Sequence, residues 1–234
     1  MEVTLLHTGP LGVNTVIVPL ANNRVFVVDP ASCAFCDDET IVTSYLAQKQ
    51  WEPVAIVLTH GHFDHVAALP FLRNIYPDIP ILIHQDDAAF IGANSSVLQG
   101  QSLRQMGFDA FTPSVSHLPE PTGFLQDKKT LSDCLSAATG SATFDDAVTH
   151  ALAGWTVLHT PGHTKGSCCL YNAAEKILIS GDTLFYQSWG RTDLYGGSEA
   201  QIQQSLRRLA KTVTPDTKVY PGHDYAGFLF SDNF

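Results

Sequence analysis

At 234 residues the chain is long enough for one sizeable core. Hydrophobic residues make up 44% of it and the mean hydropathy is +0.04, the profile of an ordinary soluble globular protein. No apolar run reaches the length that spans a bilayer, and a net charge of −10 with 13 basic residues offers no phosphate-tracking stripe, so neither a membrane nor a nucleic acid is an expected partner.

The opening residues Met1-Glu2-Val3-Thr4-Leu5 carry neither a basic n-region nor an apolar h-region. The expectation is no signal peptide and a cytoplasmic location. Val3 to His7, Val13 to Val18 and Arg24 to Asp29 read as three successive strands, separated by the turn residues Gly9-Pro10 and Ala21-Asn22-Asn23. Asp38 to Gln50 has helical spacing, with Ile41, Val42, Tyr45 and Leu46 on one face. Val54 to Leu58 is a short apolar strand, and Asp64 to Ile75 a helix with Ala67, Ala68, Phe71 and Leu72 inward. Pro80 to Ile83 is another strand. Residues 84 to 154 are the least regular: Gln101 to Met106 reads as helix and Pro113 to Gly123 as a Pro-rich loop. Strands resume at Trp155 to His159, Ser167 to Tyr171 and Lys176 to Ile179. Ser198 to Thr212 is an amphipathic helix burying Ile202, Leu206, Leu209 and Val213, and Lys218 to Tyr220 is the last strand. No linker or low-complexity stretch divides the chain, so residues 1 to 234 are expected to form one domain.

The five cysteines are Cys33, Cys36, Cys134, Cys168 and Cys169. An odd count argues against a disulfide framework. Cys33-x-x-Cys36 lacks a second pair for zinc and a thioredoxin-like setting, and reads as a pair in a loop. Cys168 and Cys169 sit in an apolar run and read as small core residues. Lys128-Lys129 and Arg207-Arg208 read as solvated charges.

The chemistry is concentrated in Thr59-His60-Gly61-His62-Phe63-Asp64-His65, directly after a buried strand. A strand that ends in a turn can aim His60 and His62 at one metal, while Asp64 and His65 face another. Buried imidazoles need partners, so this is a poor way to fill a core. Imidazole nitrogen with carboxylate oxygen is a set that zinc favours and iron or manganese accepts. Three further strands end in a candidate ligand: His163 in Thr160-Pro161-Gly162-His163-Thr164, Asp182 after Ile177 to Gly181, and His223 in Val219-Tyr220-Pro221-Gly222-His223-Asp224. Singly, each has an ordinary reading as a turn histidine or a helix cap. In series they supply seven ligands, enough for two metals sharing a water.

His60-x-His62-x-Asp64-His65, then His163, Asp182 and His223 in that order, resembles the metallo-β-lactamase-fold hydrolase superfamily. Gly12-Val13-Asn14-Thr15, Val28-Asp29-Pro30, Gly181-Asp182-Thr183-Leu184-Phe185 and Gly190-Arg191-Thr192-Asp193 place it nearest the glyoxalase II, or hydroxyacylglutathione hydrolase, branch. The resemblance implies an α/β fold, a four-layer αββα sandwich of two mixed β-sheets flanked by helices. It also implies two divalent metal ions, zinc first, with iron or manganese possible. His60, His62 and His163 would hold one, Asp64, His65 and His223 the other, and Asp182 would bridge them. A metal-bridging hydroxide would cleave a small-molecule acyl thioester, with Asp64 and Asp182 as catalytic residues and Arg191 and Tyr225 contacting substrate. Thr59, Thr164 and Asp29 are candidates to steady the ligands, Asp29 by accepting a ring N–H.

The chain stops eleven residues after His223, where full-length glyoxalase II continues into a helical domain, so a short form of that branch is the expectation. Gly190-Arg191-Thr192-Asp193 and Tyr220-Pro221-Gly222-His223-Asp224-Tyr225 also resemble persulfide dioxygenase, in which His60, His163 and Asp182 would hold a single iron, and a lactonase-type hydrolase is a further alternative. The best-known secreted zinc β-lactamases carry Cys where this chain has Asp182. The sequence leaves the oligomeric state, the metal and the exact thioester open.

Overall fold

A computed structural model describes residues 2–93, 95–140 and 144–234. The first half runs β1 (Thr4–Thr8), β2 (Val13–Pro19), β3 (Arg24–Val28), α1 (Ile41–Lys49), β4 (Glu52–Val57), α2 (Phe63–Val66), α3 (Leu69–Ile75) and β5 (Ile81–His84). Then come α4 (Ser95–Met106), β6 (Gly123–Leu125), α5 (Leu131–Thr139) and α6 (Asp146–Ala153). The second half runs β7 (Thr156–His159), β8 (Cys168–Asn172), β9 (Ile177–Gly181), β10 (Leu184–Phe185), β11 (Ser188–Trp189), α7 (Glu199–Thr212), β12 (Lys218–Pro221) and β13 (Phe228–Leu229).

These strands make two mixed sheets and a small ribbon. The larger sheet has the order β1-β2-β3-β4-β5-β6, antiparallel over its first three strands and parallel from β3 onward. The other has the order β13-β12-β9-β8-β7, with β12 and β9 parallel and the remaining pairs antiparallel. β10 and β11 pair only with each other.

Side-chain alternation along the strands explains the layering. Val16, Val18, Phe26 and Val28 share an apolar cluster with Trp155, Val157, Cys168, Leu170, Ile177 and Ile179, which is the core between the sheets. The intervening residues Ile17, Val25 and Val27 point the other way, into a cluster with Val42, Leu46, Leu69 and Leu72 from α1 and α3. On the far side, Leu158, Cys169 and Leu178 meet Leu206, Leu209 and Val213 at α7. Three cores between four layers give the αββα sandwich. Phe26 and Trp155 lock the middle layer edge to face, with ring centroids 5.4 Å apart, an arrangement worth about 0.5–1.5 kcal/mol beyond area burial.

Several elements differ from the sequence expectation. The helix expected from Asp64 to Ile75 is two helices. The Ala68 N–H leaves the helical ladder for the Pro30 carbonyl at 3.1 Å, and Pro70 starts α3 in its first turn. The helix expected at Gln101 begins at Ser95, and its inward face is partly polar, with Ser95, Gln99 and Ser102 buried beside Leu103. The stretch from 84 to 154 also contains α5, closed by a Thr130–Asp133 capping box and Gly140, and α6, capped by Asp145. All five cysteines are free thiols, with Cys33 and Cys36 flanking a 3-10 turn. Among the described residues no helix is long and apolar enough to cross a membrane.

Candidate metal centre

The seven expected ligands converge where strands from both sheets end. His60 and His62 follow β4, and Asp64 and His65 lie in α2. His163 follows β7, Asp182 follows β9, and His223 follows β12. The parallel pairing of β9 with β12 sets Gly181 beside Pro221, and the Gly222 N–H donates to the Gly181 carbonyl at 2.8 Å. The two sheets are stitched at this edge by Cys168 N–H donating to Thr59 O at 2.8 Å and Asn14 N–H donating to Gly222 O at 2.7 Å. Gly222 is required by closeness: a Cβ built there would collide with Asp182 Oδ1 and His65 Cε1.

Two triads emerge, His60 with His62 and His163, and Asp64 with His65 and His223. The hydrogen bonds around them fix the imidazole tautomers. Nδ1–H of His65 donates to Asp29 Oδ2 at 3.0 Å, that of His163 to Arg191 O at 2.7 Å, and that of His223 to Leu11 O at 3.2 Å. Thr59 Oγ1 donates to Asp29 Oδ2 at 2.6 Å, which leaves it accepting from His60 Nδ1 at 3.1 Å. Each of these four rings therefore turns its Nε2 inward.

Asp182 lies between the triads. Its Oδ2 is 3.5 Å from His163 Nε2 and 3.5 Å from His223 Nε2, and its Oδ1 is 3.4 Å from His65 Nε2. Asp64 Oδ2 is 3.3 Å from His223 Nε2 and 3.6 Å from His65 Nε2. Zinc bonds of about 2.1 Å in a tetrahedron set neighbouring ligand atoms about 3.4 Å apart. The spacings of the second triad, with His65 Nε2 3.1 Å from His223 Nε2, bracket that edge length. His60 Nε2 and Asp182 Oδ1 are buried without a hydrogen-bond partner, a costly state that a cation relieves, and His62 turns Nδ1 toward His163 Nε2 at 2.8 Å. The residues present fit a metal pair.

The electrostatics agree. Burial, reinforced by the neighbouring imidazoles His65 and His163, holds the His60 pKa well below the usual histidine range. Burial does the same for His62, where His163 is the main neighbour. Neutral imidazoles are the form that binds a metal. Around His65 the balance reverses. Burial lowers its pKa, but the carboxylates of Asp182, Asp64 and Asp29 outweigh burial and raise it to about 10. Burial also opposes ionisation of Asp64, yet His65 and His223 hold its carboxyl well below the ordinary value. The pocket thus calls for positive charge beside the Asp64–Asp182 pair.

A cleft of about 360 Å³ opens over the ligands. Leu11, Phe63, Met106, Phe185 and Leu194 make its apolar wall, and Arg191 is the one Lys or Arg among the described residues that line it. That guanidinium is already in a fork, Nε to Asp193 Oδ1 at 2.7 Å and NH2 to Asp193 Oδ2 at 2.8 Å. Tyr225 is 62% exposed, packs against the rings of Tyr186 and Phe228, and is outside the residues lining the cleft. Thr164 reaches a buried carboxylate, Asp87, that sequence reading passed over. Asp87 sits one turn after a strand, beside the equally acidic Asp86, and nothing in the local sequence separates the two.

The sequence profile of the metallo-beta-lactamase superfamily matches residues 8–131 and 139–223. The chain is 30% identical over 208 residues to the Bacillus subtilis protein named "Probable metallo-hydrolase YqgX", covering 88% of this chain and 86% of that protein. It is 27% identical over 215 residues to the hydroxyacylglutathione hydrolase of Erwinia tasmaniensis, covering 91% of this chain and 63% of that longer protein. Among solved structures, the BLEG-1 B3 metallo-beta-lactamase superposes with a TM-score of 0.75 at 27% identity, over 96% of this chain and 92% of that one.

Proposed function

The chain belongs to the metallo-beta-lactamase superfamily, and on that premise we propose that it is a binuclear metal-dependent hydrolase of acyl thioesters, of the S-acylglutathione type. The observation that carries the reading is Asp182, whose carboxylate stands 3.4–3.5 Å from ligand nitrogens of both triads. His60, His62 and His163 would hold one divalent cation, Asp64, His65 and His223 the other, and Asp182 both. Zinc suits this nitrogen-rich set best. When bound, the pair supplies an acidified water for attack and polarises the acyl carbonyl.

The protein's own groups do the rest. Arg191 O, Leu11 O and Asp29 hold three ligand rings in the tautomer that faces inward. The apolar wall from Leu11, Phe63, Met106, Phe185 and Leu194 receives the acyl group and thins the water around it. No Ser, Thr or Cys lines the cleft among the described residues, so water rather than a side chain is the nucleophile. Burial pushes the Cys33 thiol up to about 12 and the Cys169 thiol to about 11, which removes them as competing nucleophiles. Among the described residues, the lining holds no Lys, Tyr or Cys, and its acid–base groups other than Arg191 and Asp224 are the proposed metal ligands, so few groups are free to protonate a departing group. A thiolate suits such a site, because a thiol ionises near about 8.5 and leaves unprotonated. The Erwinia relative is the support for glutathione as the thiol part.

The test is metal content by elemental mass spectrometry with three assays on one sample: thiol release from S-lactoylglutathione, oxygen uptake on glutathione persulfide, and β-lactam hydrolysis. The expected result is two metals per chain with thiol release. One iron per chain with oxygen uptake would overturn it in favour of a dioxygenase. Two metals with β-lactam hydrolysis alone would keep the centre and overturn the substrate.

A further inference from the structure

Asp87 follows β5 and is 0% exposed. None of its hydrogen bonds goes to an imidazole. Its Oδ1 accepts the Gly166 N–H at 2.7 Å, and its Oδ2 accepts the Gly61 N–H at 3.0 Å and the Thr164 hydroxyl at 2.6 Å. Gly61 separates His60 from His62, and Thr164 follows His163. One buried carboxylate therefore ties together the two loops that carry the first triad, although they are about a hundred residues apart in the chain.

The fit is tight on every side. A Cβ on Gly166 would collide with Asp87, and one on Gly61 would collide with Phe90 in the same turn. Gln99 Nε2 donates to Gly61 O at 2.8 Å and to Phe90 O at 2.7 Å, fixing the other face of the His60–His62 loop. Ser167 completes the clamp, its hydroxyl accepting the Thr164 N–H at 3.0 Å and lying 2.7 Å from Thr164 Oγ1. A buried carboxylate is costly, and burial raises its pKa here against the pull of these donors. The second triad is held by other groups: His65 by Asp29, and His223 by Leu11 O.

We propose that Asp87 is a positioning residue of the His60–His62–His163 half of the metal centre and leaves the Asp64–His65–His223 half untouched. This rests on the two-metal reading above. Backbone donors at Gly61 and Gly166 and the hydroxyl of Thr164 need an acceptor-only partner. Asp87→Asn keeps the shape but turns an amide donor toward one of them. The first triad then loses its spacing, while the second keeps its own supports.

The experiment is titration of the metal-free protein with cobalt(II), read by its visible absorption and by elemental analysis after competition with a chelator. Wild type should take two equivalents. Asp87→Asn should bind one equivalent about 10–100-fold more weakly, the usual range for losing an outer support, with the other equivalent unchanged. If that variant fails to fold, Thr164→Val removes one arm of the clamp and should give a smaller shift of the same kind. Wild-type affinity at both positions in the variants, or equal weakening of both, overturns the inference alone. Fewer than two equivalents in wild type overturns the two-metal reading and the inference with it.

Discussion

The Asp29 carboxylate accepts the Nδ1–H of His65 at 3.0 Å from a left-handed backbone, φ +48°, at the end of β3. Asp and Asn tolerate that region better than other side chains, so the position selects for them. The same carboxylate accepts from Thr59 N at 2.7 Å and from Thr59 Oγ1, which in turn faces His60. Asp29 thus reaches both triads, through His65 directly and through Thr59 to His60.

Asp29→Asn keeps the backbone and replaces an acceptor with a donor opposite His65 or Thr59. Metal affinity at both positions should fall, each by about 10–100-fold. Chelator competition measures it. Unchanged affinity at both would make the Asp29–His65 bond a packing detail.

Asp182 is shared by the triads, so Asp182→Ala should lower both the metal count and the rate of thioester hydrolysis. Its carboxylate is also the main charge that raises the His65 pKa, so the apo fold should lose some stability too, which the measurement must separate from metal loss. The comparison is metal content and turnover against the melting temperature of the metal-free chain. Full activity with near two metals in the variant would end the bridging assignment.

The sequence displays this centre unevenly, for physical reasons. His60, His62, Asp64 and His65 are legible because their chemistry is contiguous and follows a strand. His163, Asp182 and His223 are legible because each closes an apolar run. The layers are legible from alternation, as with Ile17 against Val16 and Val18. The inward face of α4 is partly Ser95, Gln99 and Ser102, so no apolar stripe marks it. α5 and α6 did carry signals, in Thr130-x-x-Asp133 and Asp145, but only as caps. β10, β11 and β13 are two residues each, too short to alternate. Asp87 is silent because its partners are two backbone N–H groups and a hydroxyl from distant loops.

Thiol chemistry offers an independent check of the core. Cys134, Cys168 and Cys169 are buried, and Cys33 is 4% exposed, while Cys36 is half-buried. Burial raises the Cys33 pKa to about 12, so the reactive thiolate is scarce at pH 8. Burial raises the Cys36 pKa as well, but Cys36 is the most accessible thiol, so a thiol reagent at that pH should modify Cys36 first and the other four more slowly, and all five after unfolding in denaturant. The sign of the pH effect follows: native modification of Cys33 should keep rising above pH 9, where an exposed thiol has levelled off. Rapid reaction of several thiols in the folded protein would mean that the cores around β8 and the Cys33 loop open easily.

On the thioester proposal, the Arg191–Asp193 pair would set how much of the Arg191 charge the cleft offers an anionic substrate. Their fork at 2.7 and 2.8 Å is surface exposed, and such a pair contributes only about 0–1 kcal/mol to stability. The cation is therefore cheaply released to a substrate carboxylate. Arg191→Ala should raise KM for S-lactoylglutathione more than it lowers kcat, since a contact at the cleft wall acts in ground and transition states alike. Asp193→Ala frees the guanidinium and should lower KM for the same substrate, with little effect on a neutral thioester. Because the His163 support comes from the Arg191 carbonyl rather than its side chain, neither substitution should change the metal count. An unchanged KM in both variants would remove Arg191 from the substrate site and leave it as a surface ion pair.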